Sequence, residues 1–245
     1  MSGRQPDAPV RVPVSLQRWE DLTFLHWAYD PVQVQRLVPP PLRVQHWQGR
    51  TWVGVSPFRM RDVRAPGLPP PPGWGAFAEL NIRSYVRGPD GRDGIWFLGL
   101  VAAPATFVLA LRTLGVPYRR ATGRVDTTPT RLSYRFGTPS QGGSPDTEWF
   151  AADVEVGPLV ADAARDPLLD SLTGRWSAYH RRAAVLWRTP VEHPPWPLRH
   201  ARVCGRDVTA PLRWAGLPEP EGPPTTHAAP GVDVRLGLPR PASMG

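Results

Sequence analysis

Lysine is absent from this 245-residue sequence: all 29 basic side chains are arginine. No imine-forming lysine, phosphate-loop lysine or acetylatable amine is therefore available on a side chain. The single cysteine excludes an internal disulfide framework and a cysteine-rich zinc site. No run approaches the roughly 20 apolar residues of a membrane-spanning helix. Residues 1–12 lack the apolar stretch of a secretory signal, so the expected location is cytoplasmic and no membrane partner is expected. The nucleophile-elbow, dinucleotide and Walker motifs are missing, and Gly54-Val55-Ser56-Pro57-Phe58 only superficially approaches the first. The six histidines form no HxH or HExxH pattern, and His200 and Cys204 fall in a region read as strand or coil. No metal and no cofactor is expected.

Arginine gives a net charge of +8, yet the longest basic runs are the pairs Arg119-Arg120 and Arg181-Arg182. Nucleic-acid binders concentrate their charge, so no nucleic-acid partner is expected. The 33 prolines and 23 glycines punctuate the chain rather than dominate it. Residues 1–14 read as a flexible N-terminus and 15–204 as a single β-rich cavity domain. From 205 to 245, proline and glycine without apolar periodicity read as a disordered tail.

Within the domain, strands are expected at 22–29, 77–86, 94–101, 118–125, 131–136, 149–156 and 184–188. Asp30-Pro31 predicts a short capped helix to Leu37. Segments 42–47 and 51–58 flank Gln48-Gly49-Arg50 as a hairpin, and Gly88-Pro89-Asp90-Gly91 marks a second. A helix is expected over 104–114, closed by Gly115 and Pro117, and another from Asp166-Pro167 to about Arg181. The proline-bearing stretch 59–76 reads as a long connection of the kind that is often functional. Together these elements make an α+β fold, mostly antiparallel, with two or three helices.

The segment Glu79-Leu80-Asn81-Ile82-Arg83-Ser84-Tyr85-Val86 is the most informative. Strand alternation sets Glu79, Asn81, Arg83 and Tyr85 on one face and Leu80, Ile82, Ser84 and Val86 on the other. A half-solvated strand is the simple reading of the first face. Asparagine is depleted in strands, however, and an acid, an amide, a cation and a phenol in line suit the floor of a polar pocket. Helical spacing places Arg175 beside an apolar stripe with Leu172 and Tyr179, where it needs a carboxylate, a ligand or solvent. His26 beside Trp27 reads as a core histidine.

Several stretches in this order resemble the bacterial YqjF-like family, which is placed near the acetoacetate decarboxylase-like fold. They are 19–27, beginning Trp19-Glu20-Asp21; Trp52-Val53-Gly54-Val55-Ser56-Pro57-Phe58; the segment 79–86; Gly94-Ile95-Trp96-Phe97; and His193-Pro194-Pro195-Trp196. The resemblance covers about 15–204. It implies a cone-shaped antiparallel β-barrel with a central cavity and helices packed outside. The decarboxylases of that fold use a Schiff-base lysine and a cavity-strand glutamate; Glu79 resembles the latter, and the former has no counterpart here.

The site expected from these residues has Glu79 as general acid/base and Arg83 as anion anchor. Asn81 and Tyr85 would orient the ligand, with Trp27, Tyr118, Arg135 and Arg175 as wall. The expected ligand is a small carboxylate- or carbonyl-bearing molecule. The expected chemistry is that of a metal-free lyase or isomerase without imine formation. A sensor or carrier using the same cavity stays open, as do an interaction module acting through the proline-rich segments and a homo-oligomer.

Overall fold

The computed structural model describes residues 3–139, 147–162, 165–204 and 207–242. Its frame is built from β1 (Pro13–Tyr29), β2 (Arg43–Val44), β3 (Thr51–Arg64), β4 (Ala76–Arg87), β5 (Asp93–Ala102), β6 (Tyr118–Arg120) and β7 (Thr122–Thr128). β8 (Arg131–Thr138), β9 (Thr147–Leu159), β10 (Ser177–Arg182), β11 (Val185–Glu192), β12 (Arg199–Val203), β13 (Thr225–Gly237) and β14 (Arg240–Pro241) complete it. Four short helices are present among the described residues: α1 (Pro31–Gln35), α2 (Ala105–Thr113), α3 (Pro167–Thr173) and α4 (Ala210–Trp214). None is long and apolar enough to cross a membrane.

One sheet runs β14-β11-β10-β5-β4-β3-β1-β13-β12-β9-β8-β7, and an additional pairing of β11 with β13 closes a circuit through β10, β5, β4, β3 and β1. The pairing is antiparallel except for β10 with β5 and β6 with β5. The central strands bury both faces. On one, Leu25, Trp27, Val53, Val55, Leu80 and Ile82 pack with Phe136, Phe150 and Val154 of β8 and β9. On the other, Phe24, Phe58, Met60, Phe77 and Phe107 form a second cluster with Trp196 and Val232. The period-2 alternation of the strands separates the two.

Local sequence explains several boundaries. Asp30 caps α1 by accepting from the Val32 amide at 2.7 Å, with Pro31 pre-set for the first turn. The Gly88–Gly91 turn joins β4 to β5 as expected. The hairpin expected between 42–47 and 51–58 is reduced to a Trp47–Arg50 bridge, because β2 pairs with β4 instead.

Two expectations are corrected. The helix beginning at the Asp166 cap stops at Thr173 instead of running to about Arg181. Gly174 is extended, with its amide on the Asp170 carbonyl, and Ser177–Arg182 is recruited into the sheet as β10. The tail read as disordered over 205–245 contains α4 and also β13, which pairs with β1 from Pro13 to His26. Val232 and Val234 point inward while Asp233 and Arg235 point out, a strand pattern interrupted by Pro230-Gly231. Gly231, at φ +150°, lies where an added Cβ would stand 2.6 Å from the Trp19 carbonyl.

Candidate functional site

A cavity of about 560 Å³ is lined by every strand of the closed circuit, among them Trp19, Phe58, Phe97, Ala178, Val191 and Leu236. Its floor is the polar line of β4: Glu79, Asn81 and Arg83 face it and are 3%, 7% and 6% exposed. The polar face of this strand is therefore buried against a partly open cavity and not spread on the outer surface.

Glu79 accepts a hydrogen bond from Tyr118 Oη at 2.9 Å on Oε2. Burial pushes its carboxyl up to about 8, against which the Tyr118 hydrogen bond pulls only partly. The carboxyl is thus mostly protonated at neutral pH, a state suited to donating a proton. Burial and the neighbouring Glu79 hold the Tyr118 phenol well above its ordinary value, so it remains a donor.

Arg83 donates from Nε to Tyr85 Oη at 3.1 Å, and its guanidinium lies 5.0 Å from the Phe24 ring centroid. Its Nη2 is buried without a hydrogen-bond partner, and no carboxylate stands within 4.0 Å of it among the described residues. Asn81 Oδ1 is likewise buried and unpartnered. A guanidinium left so deeply buried without an anion is costly, and a ligand carboxylate would offset that cost with a charge-assisted pair.

Tyr85 lies behind this floor, against a small second pocket with Gln45 and Trp52. Its hydroxyl meets His26 Nε2 at 2.5 Å. Burial first, and then the charge of Arg83, holds the His26 imidazole well below its ordinary value and so neutral. Gly54 pairs with both His26 and Arg83, and its missing side chain leaves room for these groups. A Cβ there would lie 2.9 Å from Tyr85 Oη and 3.1 Å from His26 Nε2.

Arg175, just past α3, borders both spaces. It bonds Gln45 and Ser171, stands 4.0 Å from Asp93 and lies 4.9 Å from the Tyr85 ring centroid. Burial lowers its guanidinium to about 10, which leaves it charged at neutral pH.

The structure thus brings Glu79, Asn81, Arg83, Tyr118 and Arg175 to the cavity, with Tyr85 behind them. Two expected wall residues lie elsewhere. Trp27 is packed in the opposite core, because its parity on β1 matches Leu25 rather than Phe24. Arg135 on β8 pairs with Asp153 at 3.1 Å and is half exposed, away from the cavity. Among the cavity residues not expected from the sequence is His193, which packs 4.6 Å from Trp176 and 4.9 Å from Trp196, centroid to centroid. Burial holds its imidazole at about 4. Its place in the His193-Pro194-Pro195-Trp196 run was the available signal.

The strand circuit around the cavity has the acetoacetate decarboxylase-like fold, as its likeness to solved structures shows. An acetoacetate decarboxylase-like enzyme from Sphingomonas wittichii RW1 superposes with a TM-score of 0.64 at 12% identity, covering 96% of this chain and 95% of that one. The enduracididine biosynthesis enzyme MppR, complexed with pyruvate, gives 0.61 at 15%, covering 97% and 93%. Acetoacetate decarboxylase from Legionella pneumophila gives 0.61 at 16%, covering 97% and 92%. The chain belongs to the family DUF2071, described as an uncharacterized conserved protein, whose model matches residues 16–233. It is 31% identical over 220 residues to the uncharacterized protein YqjF of Bacillus subtilis strain 168, covering 89% of this chain and 88% of that protein.

Proposed function

We propose that the cavity binds a small carboxylate- or carbonyl-bearing molecule and that Glu79 transfers a proton on it, in a lyase or isomerase reaction that forms no imine. The observation that carries this reading is the Arg83 guanidinium, whose buried Nη2 has no hydrogen-bond partner, facing the cavity from the strand that also presents the protonated Glu79. The strand circuit is read as a cone around this ligand. Arg83 seats the carboxylate, and Asn81 accepts from a ligand hydroxyl or amine. Glu79, steadied by Tyr118, gives its proton to the carbonyl oxygen; the carboxylate so formed then removes a hydrogen from the adjacent carbon, leaving an enol and a protonated Glu79, and the reverse steps return a hydrogen to that carbon. MppR, which shares the fold, was captured with pyruvate, and this supports an oxo acid as the ligand class.

The test is a panel of 2-oxo and 4-oxo acids. Binding is measured by calorimetry, and exchange of the hydrogens beside the carbonyl is followed by NMR in deuterated water. At least one acid should bind and exchange. Arg83→Gln should lose binding, while Glu79→Gln should keep binding and slow exchange roughly a hundredfold. Exchange at full rate in Glu79→Gln would remove that residue's assigned role. Recovery of a stoichiometrically bound acid without exchange would make the protein a carrier.

A further inference from the structure

Glu79 and Arg83 stand four residues apart on an extended strand, a Cα separation of roughly 13 Å. No hydrogen bond or ion pair within 4.0 Å joins their side chains among the described residues, and Glu79 bonds Tyr118 instead. The Arg83 guanidinium bonds Tyr85 Oη, on the side away from Glu79, and lies 5.7 Å from the Tyr85 ring centroid. Arg175 sits over the same ring, so both cations gather at one end of the line. Glu79 at the other end is paired in register with Phe58, whose ring centroid lies 5.8 Å from that of Trp19.

Beyond Glu79 the wall is mostly apolar; Arg64, which also lines the cavity from β3, donates to the Asp62 carbonyl. Met60 pairs with Phe77, and Phe107 lies against Phe77 and edge-on to Trp74. Trp74 and Pro71 come from the connection between β3 and β4 and line the cavity at this end. Trp74 is tied down by Nε1 donating to Thr106 at 3.0 Å. A cavity of about 560 Å³ falls among those that enclose drug-sized ligands, roughly 300–1,000 Å³, far more than a three-carbon acid fills.

We infer that the ligand is an elongated amphipathic oxo acid. Its carboxylate sits at Arg83, its reacting carbonyl lies several bonds away at Glu79, and its apolar or aromatic tail runs on between Phe58, Met60, Phe107 and Trp74. This deepens the proposed function and rests on its assignment of Arg83 as the carboxylate seat. A three-carbon acid held at Arg83 stops short of Glu79, whereas an acid carrying its ketone farther along reaches it and fills the aromatic wall.

The experiment compares three compounds by calorimetry on the intact protein: pyruvate, 4-oxo-4-phenylbutanoate and the neutral ketone butyrophenone. The long acid should bind at least roughly thirtyfold more tightly than pyruvate, given the added apolar surface. It should also exceed butyrophenone by a factor that Arg83→Gln abolishes. Trp74→Ala, on a loop rather than in the sheet, should narrow the ratio between the two acids. If pyruvate binds as tightly as the long acid, the elongated-ligand inference falls while the carboxylate site stands. If butyrophenone binds as tightly as the long acid, or neither acid binds, the carboxylate site itself falls.

Discussion

The two faces of β4 are equally buried and differently used. Leu80, Ile82 and Val86 press against neighbouring side chains in one continuous core, whereas Glu79, Asn81 and Arg83 face the cavity, where Asn81 Oδ1 and Arg83 Nη2 have no hydrogen-bond partner. One face supplies stability through contact. The other leaves a buried amide and a buried cation incompletely paired, which is unfavourable for the empty protein and useful to a ligand. Burial alone therefore does not distinguish a core from a site; whether a face meets packed side chains or a cavity does.

The contrast can be attacked from both sides. Ile82→Ala, fully buried on the packed face, should cost about 4 kcal/mol in denaturant unfolding while leaving acid binding nearly intact. A large loss of binding with little loss of stability would erase the distinction.

Glu79→Gln tests the other face through pH. The folded chain holds this proton up to about pH 8, while the unfolded chain releases it near the ordinary value of 4.5. Stability from this group is thus full below about 4.5 and is lost as pH rises toward 8, at about 1.4 kcal/mol per unit. The glutamine variant escapes that loss. Its stability relative to the parent should improve by about 3 kcal/mol between pH 5 and pH 8, and parallel stability profiles would mean that the carboxyl is not held protonated.

The smallest effect is expected at Arg135. Its partly exposed pair with Asp153 should be worth no more than about 1 kcal/mol, and Arg135→Gln should leave ligand affinity unchanged. A loss of affinity would place β8 in the site after all.

The β4 floor was legible because a strand's period of two assigns every side chain to a face, and the Gly88–Gly91 turn marked where that strand ends. Which partner covers each face was not legible. Trp27 and Arg135 were drawn to the cavity by residue type, yet strand parity and the folding of β8 and β9 over the opposite face put them elsewhere. β13 was hidden by Pro230-Gly231 in the middle of its alternation, although Val232-Asp233-Val234-Arg235 carried the pattern. Helical periodicity grouped Arg175 with Tyr179, and Gly174 broke the helix before that grouping could form. Arg175 still reached the cavity, by a different route.

The pairing of β1 with β13 also bears on how the cavity comes into being. Leu22 lies opposite Ala229, so strands about two hundred residues apart must meet before the circuit can close. On a ribosome, β1, β3, β4 and β5 emerge first, with one edge of β1 waiting for its neighbour. Such long-range closure is slow, and an exposed strand edge invites the wrong partner. The cavity is therefore assembled late in synthesis, and a nascent chain halted before residue 225 would display the polar line of β4 without the strand that completes the circuit around it.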